Sequence, residues 1–276
     1  MAKPGSVASP KPRGLRARDP ADTVAAVRQE GELKQAVTET VAAEVPVAMQ
    51  YNARPYAVMM ASPTDLEDFA FGFALTERIV ASVSELTLVD EIWTEHGVAL
   101  EMLIPQQRLL SLSTRDRNLT GRTGCGLCGT ATLEAAIRPV RHVDPQGPKA
   151  DLSTLREAML RLATMQPLND ASGAVHAAAL LCTDGSFTVR EDVGRHNAID
   201  KAVGAVMRAQ LQPHTLLVTS RASYEVVHKA AEVGCRLVAA ISAPTTLALQ
   251  LAREAGITLV GWTRPPRLTI YCGNLS

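Results

Sequence analysis

From His176 to Gly261 the chain alternates short apolar strands with amphipathic helices, and this alternation limits the fold more than any other feature. His176–Cys182 and Phe187–Val193 read as a hairpin turning at Asp184-Gly185. A helix follows with Ile199, Ala202, Val203, Val206 and Met207 on one face. Strand Thr215–Thr219, helix Tyr224–Val233, strand Leu237–Ile241, helix Thr246–Ala255 and strand Ile257–Gly261 complete the series. Strands that are apolar throughout need cover on both faces, and the intervening helices supply it. The order predicts an α/β layered sheet, largely parallel in this half.

The first half is less regular. Residues 1 to about 20 are rich in Pro, Gly, Lys and Arg without periodicity and read as a disordered tail. Glu44–Tyr51 and Tyr56–Ala61 look like paired strands turning at Asn52–Pro55. Ser62-Pro63 reads as an N-cap with proline at the first helical position, ahead of Leu66, Phe69, Ala70 and Phe73 on one helical face. A second hairpin is expected from Leu86–Trp93 through His96-Gly97 to Val98–Ile104, and a helix around Thr154–Met165. The polar stretch Val143–Lys149 suggests a division into a smaller N-terminal β/α part, residues 21–146, and a C-terminal α/β part, residues 147–276.

Within the 276 residues, 28 basic and 28 acidic side chains cancel, and only 4% of residues are aromatic. Neither a nucleic acid nor an anionic membrane is favoured as the main partner, and any anion site must be local. No apolar run is long enough to cross a bilayer and no signal-peptide pattern opens the chain, so a cytoplasmic setting is expected.

In open α/β sheets, ligands collect at the carboxyl ends of the strands. Four polar segments fall at such ends: Glu191–Lys201, Thr219–Ser223, Ser242–Thr246 and Trp262–Arg267. Gly194, Arg195, His196 and Asn197 of the first and Ser220, Arg221 and Ser223 of the second offer helix-start N–H groups, hydroxyls and guanidinium groups, the donors a phosphate site requires. Trp262 could give a flat face to a heterocycle. Neither GxGxxG nor GxxxxGK[ST] occurs, so Rossmann and P-loop binding are unsupported. Each loop also has a plainer reading: Ser220, Ser242 and Thr246 as helix caps, Arg195-His196 as a solvated helix start, and Asp200-Lys201 as an exposed pair. His176, in an apolar strand, reads as a hydrogen-bonded core histidine.

Five cysteines are present, and Cys125 and Cys128 stand apart in Thr-Gly-Cys-Gly-Leu-Cys-Gly (123–129), approached by Arg115, Arg117 and Arg122. Nearby cations, and the start of a helix expected over Thr130–Ile137, favour thiolate. Cys182, Cys235 and Cys272 sit singly in apolar surroundings and read as inert core residues. A structural zinc would need two more ligands, a zinc deaminase a His-x-Glu triplet upstream, and a thioredoxin-type pair a preceding strand context; none is evident. An accessible thiolate that carries sulfur as a persulfide fits the pair, with a thiol-disulfide oxidoreductase as its rival.

The cysteine run together with Glu-Asp-Val-Gly-Arg-His-Asn-Ala-Ile-Asp-Lys (191–201) resembles the FdhD family, sulfurtransferases needed to activate formate dehydrogenases, over most of the chain. The resemblance implies a cytidine-deaminase-like α/β fold and a homodimer. It implies sulfur transfer from a cysteine desulfurase to the molybdenum of a bis-molybdopterin guanine dinucleotide cofactor, of which guanosine diphosphate would be a fragment. Cys125 then carries the persulfide, and Cys128 is its helper or a second carrier. The cofactor segment falls on Trp262, Thr263, Arg264, Pro265, Pro266 and Arg267. A molybdenum-cofactor chaperone that transfers no sulfur is the binding-class rival.

Overall fold

The computed structural model describes residues 19–115, 138–144, 151–264 and 267–275. Cys125, Cys128, Pro265, Pro266 and the helix expected over Thr130–Ile137 lie outside the described residues, as do residues 1–18 of the expected tail and 145–150 of the expected linker. The chain opens with β1 (Ala21–Glu30), β2 (Leu33–Ala42), β3 (Val45–Tyr51), β4 (Arg54–Ala61) and α1 (Leu66–Thr76). It continues through β5 (Thr87–Thr94), β6 (Gly97–Leu103), α2 (Gln106–Arg115), α3 (Leu152–Thr164) and α4 (Pro167–Ser172). Next come β7 (His176–Cys182), β8 (Phe187–Asp192), α5 (Arg195–Arg208), β9 (Pro213–Val218) and α6 (Tyr224–Glu232). The last elements are β10 (Leu237–Ala240), α7 (Thr246–Ala255), β11 (Thr258–Arg264) and β12 (Arg267–Cys272).

The α/β layered architecture read from the sequence is present. A six-stranded sheet runs β12-β11-β10-β9-β7-β8 and a four-stranded sheet β4-β3-β6-β5. In the six-stranded sheet only β9, β10 and β11 pair in parallel; β12 is antiparallel to β11, and β7 is antiparallel to both β8 and β9. The half expected to be largely parallel is therefore a parallel centre with antiparallel flanks, because the β7–β8 hairpin inserts against β9. Two reversals leave β8 running the same way as β9–β11, so all four of these strands end on one edge.

Period-two alternation splits the six-stranded sheet between two cores. Ala177, Ala179, Leu217, Ala239 and Val260 face Leu155, Met159 and Leu162 of α3. Ala178, Leu180, Leu216, Val238 and Leu259 join a larger core with α1, α5, α6, α7 and the four-stranded sheet. That core crosses the boundary expected at residues 146/147.

Helices α1 and α5 meet backbone to backbone. A Cβ on Gly72 would lie 1.7 Å from the Asp200 carbonyl oxygen, and one on Gly204 1.8 Å from that of Asp68. Only glycine admits this approach.

Two local expectations are corrected, and one element was not anticipated. The helix expected to be capped by Ser62 begins at Leu66, after Asp65 with φ 51° and no side-chain capping bond. Ser62 is engaged elsewhere: its N–H donates to Asp192 Oδ2 (2.9 Å), its hydroxyl accepts from the Val193 N–H (3.2 Å) and its carbonyl accepts from Lys201 Nζ (2.9 Å). Asp200-Lys201 is not an exposed pair, since Asp200 is 1% and Lys201 0% exposed. The antiparallel ribbon β1–β2 was not foreseen at all. Both of its faces are largely exposed, so its sequence never had to alternate.

Candidate functional site at the carboxyl edge of the sheet

The four polar segments do assemble along one edge, and a chain of contacts links them. The first meets the second where His196 Nε2 approaches Glu225 Oε2 at 3.6 Å and the Ser223 hydroxyl donates to the same carboxylate at 2.9 Å. The second meets the third through the Thr245 N–H donating to the Ala222 carbonyl (3.0 Å) and a parallel bridge between Ala222 and Pro244. The third meets the fourth through the Trp262 N–H donating to the Ser242 carbonyl (3.2 Å). Starts of α5, α6 and α7 thus face one continuous rim.

The first segment is held from beneath by Asp192, which is fully buried. Its Oδ1 accepts from the Gly194 N–H (2.7 Å) and Asn197 Nδ2 (2.9 Å), and its Oδ2 meets Lys201 Nζ at 2.6 Å. Asn197 also donates to the Met60 carbonyl (2.7 Å), so this side chain braces the loop from inside. Gly194 precedes α5, and a Cβ there would sit 2.9 Å from Asn197 Nδ2. Arg195 is half-buried beside it, and His196, read as part of a solvated helix start, is 6% exposed.

A second buried ion pair backs the helix. Lys229 Nζ donates to Asp200 at 2.8 and 2.9 Å and to the Thr76 hydroxyl at 2.9 Å. Burial alone would lower the Lys229 ammonium, but the Asp200 and Glu77 carboxylates outweigh it and hold it raised.

On the second segment, Ser220 is buried with its hydroxyl donating to the Arg221 carbonyl (3.0 Å), while Arg221 is exposed. Helix α6 starts after Ser223, and α7 after Thr245, whose hydroxyl accepts from the Ala248 N–H at 3.2 Å. Ser220, Ser242 and Thr246 are therefore not the capping residues. Burial would raise the Glu225 carboxyl, but bonds from His196, its own backbone and Ser223 overcome that and hold it down to about 2.

The fourth segment departs from regular strand. Trp262 has φ 55°, left-handed for a bulky residue, where the β11–β12 pairing breaks register. Such an outlier persists only where the surroundings over-determine it. The indole is 40% exposed, and the Arg267 guanidinium carbon lies 4.9 Å from its ring centroid. Thr263 points inward, its hydroxyl donating to the Ala240 carbonyl at 2.9 Å, whereas Arg264 is exposed.

Sequence reasoning missed three residues of this rim. His176 opens β7 in register with Asp192, half-buried at the edge rather than within the core. Burial and then the charges of Arg195 and His196 lower its imidazole pKa. Glu225 gave no signal because its role depends on His196, 29 positions earlier in sequence. Tyr224 accepts through its hydroxyl from the Arg138 N–H at 2.8 Å. That bond fixes the first described residue after the cysteine-bearing stretch beside the second polar segment.

Among the described residues no group of three or more His, Cys, Asp or Glu could hold a metal, and no helix is long and apolar enough to cross a membrane.

A model of the FdhD/NarQ family matches residues 42–275. This chain belongs to the FdhD/NarQ family. A protein named sulfur carrier protein FdhD from Xanthomonas euvesicatoria is 46% identical, covering 95% of this chain and 94% of its own length. One of the same name from Variovorax paradoxus is 46% identical over 84% of each. A crystal structure from Desulfotalea psychrophila, provisionally assigned as a formate dehydrogenase accessory protein, superposes with a TM-score of 0.70. It covers 92% of this chain and 98% of its own, at 22% identity, and so speaks for the fold alone. That structure shares the α/β fold described above.

Proposed function

We propose that this FdhD-family chain is a cytoplasmic sulfur carrier that loads a persulfide on Cys125 and delivers its outer sulfur to the molybdenum of a bis-molybdopterin guanine dinucleotide destined for formate dehydrogenase. The donor is a cysteine desulfurase. The Cys125 thiolate attacks the outer sulfur of the donor's persulfide, one S–S bond forms as another breaks, and the donor leaves as a thiolate. No net oxidation occurs. Cys128 assists, and a reducing cytoplasm keeps both thiols available between turnovers.

The bond between the Arg138 N–H and the Tyr224 hydroxyl carries the reading, because it holds Arg138, which directly follows the cysteine-bearing stretch in sequence, beside the polar rim. The starts of α5 and α6, at Gly194–Asn197 and Ser220–Ser223, offer backbone N–H groups and the Arg195 and Arg221 guanidinium groups to the pyrophosphates. The segment from Trp262 to Arg267 presents an indole face and Arg264 to the guanosine. Cofactor chemistry belongs to the molybdenum; the protein supplies grip and orientation.

The test separates loading from delivery. After incubation with a desulfurase and cysteine, mass spectrometry should find a one-sulfur gain on Cys125; Cys125→Ala should load nothing and activate no sulfur-free formate dehydrogenase. Cys128→Ala should be milder. Arg264→Ala should load normally but bind guanosine diphosphate more weakly by about 1.5–3 kcal/mol in calorimetry, the range for a charge-assisted hydrogen bond. Full activation by Cys125→Ala, or a plain Cys125–Cys128 disulfide in place of the adduct, would refute the carrier reading. The family also suggests a homodimer, which sedimentation showing only monomer at micromolar concentration would rule out.

A further inference from the structure

The segment that returns from the cysteine-bearing stretch passes from Tyr224, at the start of α6, to a cavity at that helix's end. There Arg78, Arg108, Arg141 and Arg236 gather around a space of about 500 Å³ with Leu75, Val143 and Met207 in its apolar wall. Two of these arginines build the walls. Arg78 donates to both oxygens of Glu232 and to the Pro139 carbonyl, and Arg108 pairs with Glu85 at 2.9 and 3.1 Å.

Arg141 and Arg236 differ. Neither side chain takes an ion pair or hydrogen bond among the described residues, Arg141 is exposed and Arg236 half-exposed. The acids on the lining, Glu232 and Asp144, already have partners. Two unpaired guanidinium groups beside an apolar wall suit a carboxylate-bearing peptide, since the planar fork matches a carboxylate.

Position adds the second half of the case. Arg108 stands in the first turn of α2, the last element before residue 116, and Arg141 lies four residues after residue 137. Anything seated here touches both described arms of the chain that carries Cys125. Resting on the carrier reading above, we propose that this cavity docks an acidic segment of the sulfur-donating protein and so brings its persulfide to Cys125.

The test uses the full chain, with Arg141→Glu and Arg236→Glu combined. Loading from a cysteine desulfurase at low salt should fall about tenfold, and loading from sodium polysulfide, which needs no docking, should stay at the wild-type rate. Wild-type loading from the desulfurase should weaken with added salt, as charge-steered association does. A fluorescent hexaglutamate peptide should bind the wild type and lose about tenfold in affinity to the double variant. If circular dichroism shows the double reversal unfolded, Arg141→Gln with Arg236→Gln takes its place and should show a smaller loss in the same direction. Unchanged desulfurase-dependent loading overturns the proposal. So does inorganic phosphate displacing the peptide while desulfurase loading is untouched, which marks a small-anion site. If Cys125→Ala still loads from both donors, the carrier reading fails instead, and peptide binding alone judges the cavity.

Discussion

At the scale of single residues, burial sorts the thiols and the charges. Cys182, Cys235 and Cys272 are free, and desolvation raises the pKa of each, most strongly in fully buried Cys235. They stay protonated near neutrality, where only a thiolate reacts quickly. Iodoacetamide at pH 7 should therefore modify Cys125 and Cys128 in the native protein and reach Cys235 only after unfolding; peptide mapping showing equal native labelling of Cys235 would contradict this. The Asp192–Lys201 pair is the charged counterpart. Both side chains are 0% exposed, and removing one leaves the other's charge buried alone. Lys201→Met should cost about 3–5 kcal/mol in urea unfolding, and Asp192→Asn in the same chain should return part of it. In sequence Lys201 and its neighbour Asp200 read as an exposed pair. Their partners, Ser62 and Asp192 for one and Thr76 and Lys229 for the other, are set by the tertiary fold.

At the scale of elements, the crossing of α1 and α5 fixes how the rim sits on the core. Gly204 lies inside a helix, where alanine would ordinarily be better by about 1 kcal/mol. Here its Cβ would strike the Asp68 carbonyl, so Gly204→Ala should destabilise by about 1–3 kcal/mol, as overpacking does. A gain in the urea midpoint would mean the helices can separate without penalty. Elements with one buried face or two were legible: the β7–β8 hairpin, β9 to β11 and their helices fall where periodicity predicts. Ser223 and Thr245 as helix starts were not, because several hydroxyls stand close together in each loop and only the path of the backbone selects one.

At the scale of the whole molecule, acid should loosen the fold in two stages. His228 is buried against the Tyr224 ring, and burial, helped by Arg138, Arg78 and Lys229 against the pull of Glu232, lowers its pKa to about 4. The unfolded chain protonates this imidazole near its ordinary 6.5 while the native state does not, so stability falls as pH drops from about 6.5 to 4. Glu225, held to about 2 against an ordinary 4.5, adds a loss from about pH 4.5 downward. Thermal midpoints followed by circular dichroism should decline across both windows, and His228→Leu should flatten the first. A wild-type midpoint constant from pH 7 to 5 would exclude a neutral buried His228.

The sequence by itself determined the α/β class, the strand-end placement of the four polar segments and the cysteine pair, because hydrophobic period and local spacing are written along the chain. Tertiary structure alone decided that Asp192, Lys201, Asp200 and Lys229 lie under the rim, that His196 meets Glu225, and that four arginines share a cavity. Each of those depends on residues far apart in sequence coming within a few ångströms, and no local pattern encodes a distance of that kind.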